Sequence, residues 1–240
     1  MENNLASDDY VFKAYVVNTA AYDAGERENS GAWLYFPPQA EEVQSLFEKI
    51  GLPPDAVPSK YFMDDYVSYV EGMKNVLPIY GDIQELSEVA RAISGLSPDD
   101  RVLLAAVQES PHRLASLEQF REFPRNSEYF ILEGNIHSEA DLGWRYITDH
   151  MDTRLPKELL DAIDPVAFGK YAMRDEQGCF TSHGYLSLSG DEWQHEHVTD
   201  HSRREQEKKP SIRERLEQGK KECANKQAQP QARGKSEPEL

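Results

Sequence analysis

Residues 10–50 read YVFKAYVVNTAAYDAGERENSGAWLYFPPQAEEVQSLFEKI, and the order of the apolar stretches in this segment decides the fold class. YVFKAYVVN (Tyr10–Asn18) is rich in β-branched and aromatic residues and predicts a strand. A polar loop (Asp23–Gly31) separates it from AWLYF (Ala32–Phe36), a second strand stopped by Pro37 and Pro38. The period then changes. Val43, Leu46, Phe47 and Ile50 recur at helical spacing within Glu41–Ile50, and Gly51 supplies the C-cap. YFMDDYVSYV (Tyr61–Val70) returns to extended chain. These strands and one helix make a small α+β unit over residues 1–77, in which residues 1–9 read as a loose leader.

Residues 78–126 read as helical. Ile83, Leu86, Ala90 and Ile93 form one amphipathic face, and Asp82, Glu85 and Glu88 fall away from it. The next helix starts with Ser97 as N-cap, Pro98 at the first position and Asp99 and Asp100 in the first turn. Leu103, Ala106 and Val107 form its stripe, and a third short helix runs through Leu114, Leu117 and Phe120. Residues 127–193 read as a second α+β unit. Tyr129–Leu132 is a strand, and Ser138 with Asp141 opens a helix lined by Ala140, Trp144, Ile147 and Met151. A helix follows Pro156 with Leu159, Leu160 and Ile163, and Asp164-Pro165 restarts a helical turn through Phe168 and Tyr171. CFTSHGYLSL (Cys179–Leu188) is a hairpin with His183-Gly184 at its turn. From Glu192 the chain becomes polar. Residues 194–240 have the composition of a disordered tail, apart from a candidate helix at Ser211 and Glu214. No internal repeat is present. The fold class is therefore α+β, in three small units followed by a tail.

Charge is the strongest compositional signal. The chain carries 43 acids and 26 bases, but residues 201–240 hold 7 acids and 11 bases, so residues 1–200 hold 36 and 15, a net of −21. A body this acidic repels nucleic acid and attracts proteins that bind it. No apolar run approaches the ~20 residues that cross a bilayer. Met1–Tyr10 lacks the basic and apolar regions of an export signal. Cys179 and Cys223 are the only cysteines, so a reducing cytoplasm is the expected compartment.

Catalytic and cofactor motifs are missing: there is no phosphate loop, dinucleotide fingerprint, nucleophile elbow or zinc-protease helix, and neither a cofactor nor a metal is expected. Asp64-Asp65 has the residue types of an acid–base pair, but neighbours in a strand point to opposite faces. Cys179 and His183 have the types of a nucleophile and its base, but across a tight hairpin they face packing and solvent. HEHVTDH (His195–His201) holds metal-ligand types, without the rigid scaffold a site needs. The carboxylates are spread over the body rather than converging on one pocket. That opposes a conventional active site and permits a surface that imitates a nucleic-acid backbone.

Several motifs, in order, resemble the ArdA antirestriction family. AYVVNTAAYDAG, then GAWLYFP and a helix ending KIGL, resemble the family's opening, with Tyr22, Asp23, Gly25, Gly31 and Trp33 as the carrying residues. FMDDY, with Asp65 and Tyr66, resembles its acidic strand. IQELSEVA resembles its next helix start, with Ser87 where Asn is common. LPKELLDAIDPVAFGKYAM followed by GCFTSHGYL is the strongest match. It rests on Leu155, Pro156, Ile163, Asp164, Ala167, Phe168, Gly169, Phe180, Thr181, Gly184 and Tyr185. Phe168 replaces the usual Tyr, Pro165 replaces an aromatic, and the tail from about residue 194 lies outside the likeness.

The resemblance implies a DNA mimic of mobile elements such as conjugative transposons. It implies three small domains in an elongated chain, dimerising through the last, and occupancy of the DNA groove of Type I restriction–modification enzymes. Under it the protein performs no chemistry. A dimer of the acidic body would double −21 to −42, enough at the charge density of DNA for an axis of about 70 Å, or about 20 base pairs. Asp82, Glu85, Glu88, Asp99, Asp100, Glu109, Glu118 and Glu122 are the candidate mimic carboxylates of the helical unit. Glu139, Asp141, Asp149 and Asp152 are those of the last unit. Trp33, Phe36, Phe168 and Tyr185 are assigned to core packing. Two other classes stay open: an acidic interaction module binding a regulatory partner, and a carboxylate hydrolase built on Asp64, Asp65 or the histidines.

Overall fold

Strand β1 (Phe12–Asn18) lies between β2 (Gly31–Phe36) and β3 (Tyr61–Ser68) in an antiparallel sheet of order β2-β1-β3. The computed structural model describes residues 10–26, 30–150, 156, 158 and 162–195 of the 240. Register is set by Phe12 opposite Phe36 and Ala14 opposite Leu34. Alternation then sends Ala32, Leu34 and Phe36 into the core and Trp33 and Tyr35 outward. This corrects the assignment of Trp33 to the core. It is 39% exposed, with Tyr15 edge-on at 5.3 Å and Lys13 Nζ 4.8 Å from its ring. In AWLYF every residue is apolar, so the pattern alone cannot tell one face from the other.

The β1–β3 pairing shifts between Tyr15 opposite Asp65 and Val16 opposite Met63, which leaves Asp64 as a bulge. The bulge breaks the strict alternation expected there. Met63 and Tyr66 are both buried, while Asp64 and Asp65 both face solvent. Asn18 ends β1 and caps a short helix α1 (Thr19–Asp23) that lies between the expected strand and the expected polar loop, its Oδ1 accepting from the Ala20 and Ala21 amides. Helix α2 (Ala40–Lys49) buries Leu46 and Phe47 and carries the expected stop at Gly51, whose φ is +72°.

Helices α3 (Ile83–Ser94), α4 (Pro98–Glu109) and α5 (Leu117–Glu122) follow. Their starts sit where the caps predict. Asp82 Oδ1 accepts from Gln84 N, Ser97 Oγ from Asp100 N, and Ser116 Oγ from Gln119 N. Strand β4 (Phe130–Glu133) pairs with β6 (Gly184–Leu188), which also pairs with β5 (Cys179–Thr181), giving a second antiparallel sheet of order β4-β6-β5. Thr181 pairs with Gly184, so Ser182 and His183 form the hairpin loop, one position earlier than expected. Helices α6 (Glu139–His150) and α7 (Pro165–Asp175) cross at two glycines. A Cβ at Gly143 would overlap the Pro165 carbonyl, and one at Gly169 would overlap that of Glu139. The expected helix after Pro156 falls mostly on residues outside those described.

One buried cluster contains side chains of the first sheet, of α2–α5, and Phe130 and Leu186 of the second sheet. It spans positions 77 and 126. A smaller one joins Ile136, Leu142, Ala172 and Tyr185. Phe36 and Tyr185 are fully buried, as assigned; Phe168 is only half-buried, on the α6–α7 surface.

Candidate functional site

The acidic surface is built on the backs of amphipathic helices. Burial of Ile83, Leu86, Val89, Ala90 and Ile93 turns Asp82, Glu85 and Glu88 of the α3 segment to solvent. Asp99 is exposed in the first turn of α4, where aligned peptide dipoles favour negative charge. Glu118 is exposed on α5 and shares a cleft with Glu85, Val89, Leu117 and Arg121. Asp82, Glu85, Glu88, Asp99 and Glu118 form no ion pair with another described residue. Their charge is carried on rigid elements and left for solvent or a partner.

Other candidates are engaged within the fold. Asp100 is half-buried and completes the Ser97 cap, accepting from its Oγ at 2.7 Å. Glu109 spends both oxygens on the hairpin loop. It accepts from Ser182 N and Ser182 Oγ, each at 2.7 Å, with His183 Nε2 at 3.6 Å. Those hydrogen bonds, the Ser182 hydroxyl first, hold its carboxyl below the ordinary glutamate range. Asp141 accepts from Ser138 Oγ at 2.7 Å and its carboxyl is likewise lowered. Glu139 is half-buried, 3.6 Å from Lys170 Nζ, and Asp149 lies 3.8 Å from Arg145. Asp152 lies outside the described residues.

Glu122 requires a correction. It is 1% exposed, so it presents no charge to a partner. Its Oε2 accepts from Trp193 Nε1 at 2.7 Å and faces His195 Nδ1 at 3.3 Å. The reason is docking of the segment after β6. Asn126 hydrogen bonds both backbone groups of Gln194, and the Trp193 ring packs edge-on against Tyr129 and Phe130. A buried carboxylate persists where such donors surround it. The onset of polar composition at Glu192 hides this anchor, and the lone Trp193 is the one signal that could have revealed it.

A second feature missed from sequence is Arg145. Its guanidinium meets Glu176 through two 2.7 Å hydrogen bonds and Glu133 at 2.9 Å, and lies 5.8 Å from the Tyr185 ring. Planar bidentate pairing of this kind joins α6, β4 and the end of α7. It is spread over 43 residues of sequence, so no local motif announces it.

Asp65, Cys179 and His183, which suggested chemistry, each have other neighbours. Asp65 accepts from Lys74 Nζ at 3.0 Å, and that hydrogen bond lowers its carboxyl. Cys179 pairs with Leu186 across the hairpin, and burial raises its thiol, while His183 faces Glu109. The histidines beyond His195 lie outside the described residues. Among those described, no group of three His, Cys, Asp or Glu could hold a metal, and no helix is long and apolar enough to cross a membrane.

No curated protein matches the chain. A family model does match, that of the antirestriction protein (ArdA), over residues 14–187. The matched span begins within β1, ends within β6 and contains both sheets and the acidic helices between them. The chain therefore belongs to the ArdA antirestriction protein family.

Proposed function

We propose that this antirestriction protein works as a mimic of DNA, occupying the DNA-binding groove of a Type I restriction–modification enzyme so that restriction is blocked. The observation that carries the reading is the set Asp82, Glu85, Glu88, Asp99 and Glu118: exposed on capped helices and without ion pairs among the described residues. In this reading they replace phosphates against Lys and Arg of the target. Phosphate contacts carry no sequence information directly, so one such surface serves against enzymes of different specificity.

The reading extends to assembly. The three units, 1–77, 78–126 and 127–193, line up their charge in an elongated body, and two copies join through the last unit in the cytoplasm of a cell that carries the mobile element. An exposed groove between α6 and α7, lined by Tyr146, His150, Ala167, Phe168 and Tyr171, supports that choice of dimer face. Exposed aromatic patches of this kind mark association surfaces.

The test is stepwise neutralisation of Glu85, Glu88, Asp99 and Glu118 to Gln or Asn, with inhibition of a Type I enzyme as the readout. Exposed ion pairs contribute about 0.2–1 kcal/mol each, so inhibition falls progressively over the series. Abrupt loss from any single change would contradict a distributed contact.

A further inference from the structure

Tyr80 is 80% exposed and its neighbour Ile79 60% exposed, at the entrance to the acidic helix α3. A loose loop does not account for this. The Ile79 carbonyl accepts from Met63 N at 2.7 Å along the edge of β3, and Tyr66 Oη donates to the Pro78 carbonyl at 2.6 Å. Gly81 has no room for a side chain without pressing on Pro78 and Leu86, and Asp82 then caps α3. The backbone on both sides of Tyr80 is pinned while its ring stays in water. Beneath it an aromatic row continues: Phe62 lies 6.3 Å from Tyr80, and Tyr22 meets Phe62 edge-on at 5.3 Å. Asp82 and Glu85 follow within the next five positions, both exposed.

An exposed ring on a held backbone, with exposed carboxylates two and five positions on, is complementary to a guanidinium. Arginine is weakly hydrated, stacks flat on aromatic faces, and uses its N–H groups on acceptors at the same time. An anionic partner would be repelled by Asp82 and Glu85, and an apolar partner would have to desolvate them. Resting on the reading of the chain as an occupant of a DNA-binding groove, we infer that Tyr80, backed by Phe62, seats an arginine of that groove, while Asp82 or Glu85 accepts its N–H groups. DNA-binding surfaces use arginine both on phosphates and on base edges. The carboxylate stands in for the phosphate, and the ring adds a face on which the guanidinium plane stacks.

The experiment is a binding titration against a purified Type I methyltransferase core at several salt concentrations, with wild type, Tyr80→Leu, Tyr80→Phe and Glu85→Gln. Loss of the π face in Tyr80→Leu weakens binding about tenfold, and Tyr80→Phe stays within about twofold of wild type. No charge is removed by Tyr80→Leu, so the slope of log K against log salt is unchanged, whereas Glu85→Gln makes it shallower. Wild-type affinity in Tyr80→Leu overturns the inference. So does lost affinity with a shallower slope, which would make Tyr80 a support for the carboxylates. Absence of wild-type binding removes the groove reading and this inference together, an outcome distinct from both.

Discussion

Trp193 Nε1 donates a 2.7 Å hydrogen bond to Glu122 Oε2, a carboxylate that is 1% exposed and 71 residues earlier in the chain. The contact ties the segment after the last strand to the end of α5, with Asn126 and Gln194 bonded beside it. Removing the indole takes a donor from a buried carboxylate, which costs about 1–3 kcal/mol, and removing Glu122 empties a site in the core. Glu122→Ala and Trp193→Phe are therefore expected to lower the urea midpoint of unfolding. A chain ending at Glu192 is expected to be less stable than one ending at His195. Inhibition per folded molecule should not change, because Glu122 presents no charge to a partner. An unmoved midpoint would show that the latch contributes nothing to the fold.

The crossing of α6 and α7 depends on two missing side chains. With a Cβ at Gly143 or Gly169 the facing carbonyl must move, and overpacking of this sort costs about 1–3 kcal/mol. Gly143→Ala and Gly169→Ala should each lower the melting temperature. Gly25→Ala, where a Cβ would have nothing within 4 Å but φ is +84°, should act only through local backbone strain. Equal melting temperatures for wild type and the two crossing variants would refute the close approach.

Glu109 makes stability depend on pH with a definite sign. Its folded carboxyl titrates below the ordinary 4.5, so in that interval the native state holds fewer protons than the unfolded chain. Stability from the Ser182 contact is then complete above the unfolded value and is lost as pH falls through the folded one. The difference in unfolding free energy between wild type and Glu109→Gln should shrink as pH falls through the carboxylate range. A difference that grows as the solution is acidified would contradict the assigned direction.

Local signals carried much of this fold. Ser97-Pro98, Ser138 with Asp141, and Asp164-Pro165 place helix starts because a cap is a contact within one turn, and all three are present. The strands of the first sheet and the closing hairpin were legible for the same reason. What failed depends on distant pairing. The bulge at Asp64 is fixed by register against β1. Trp33 faces out because β2 offers its other side to α2 and the core. Among the candidate carboxylates, sequence could separate charged from apolar faces on α3, where twelve residues establish a period. It could not do so on the six residues of α5, where Glu122 turns inward. Glu109 looked free because its partner Ser182 lies 73 residues away.

The most direct test of DNA mimicry is competition. A labelled duplex bearing the target sequence is bound to a Type I methyltransferase core, and this protein is titrated in at increasing salt. Mimicry predicts displacement of the duplex in strict competition, with an affinity for the protein that falls steeply as salt rises, because both acidic ligands release counterions from the same basic groove. A complex in which enzyme, duplex and protein coexist would contradict the account. It would move the contact to a site outside the groove and leave the chain an antirestriction protein of a different mechanism.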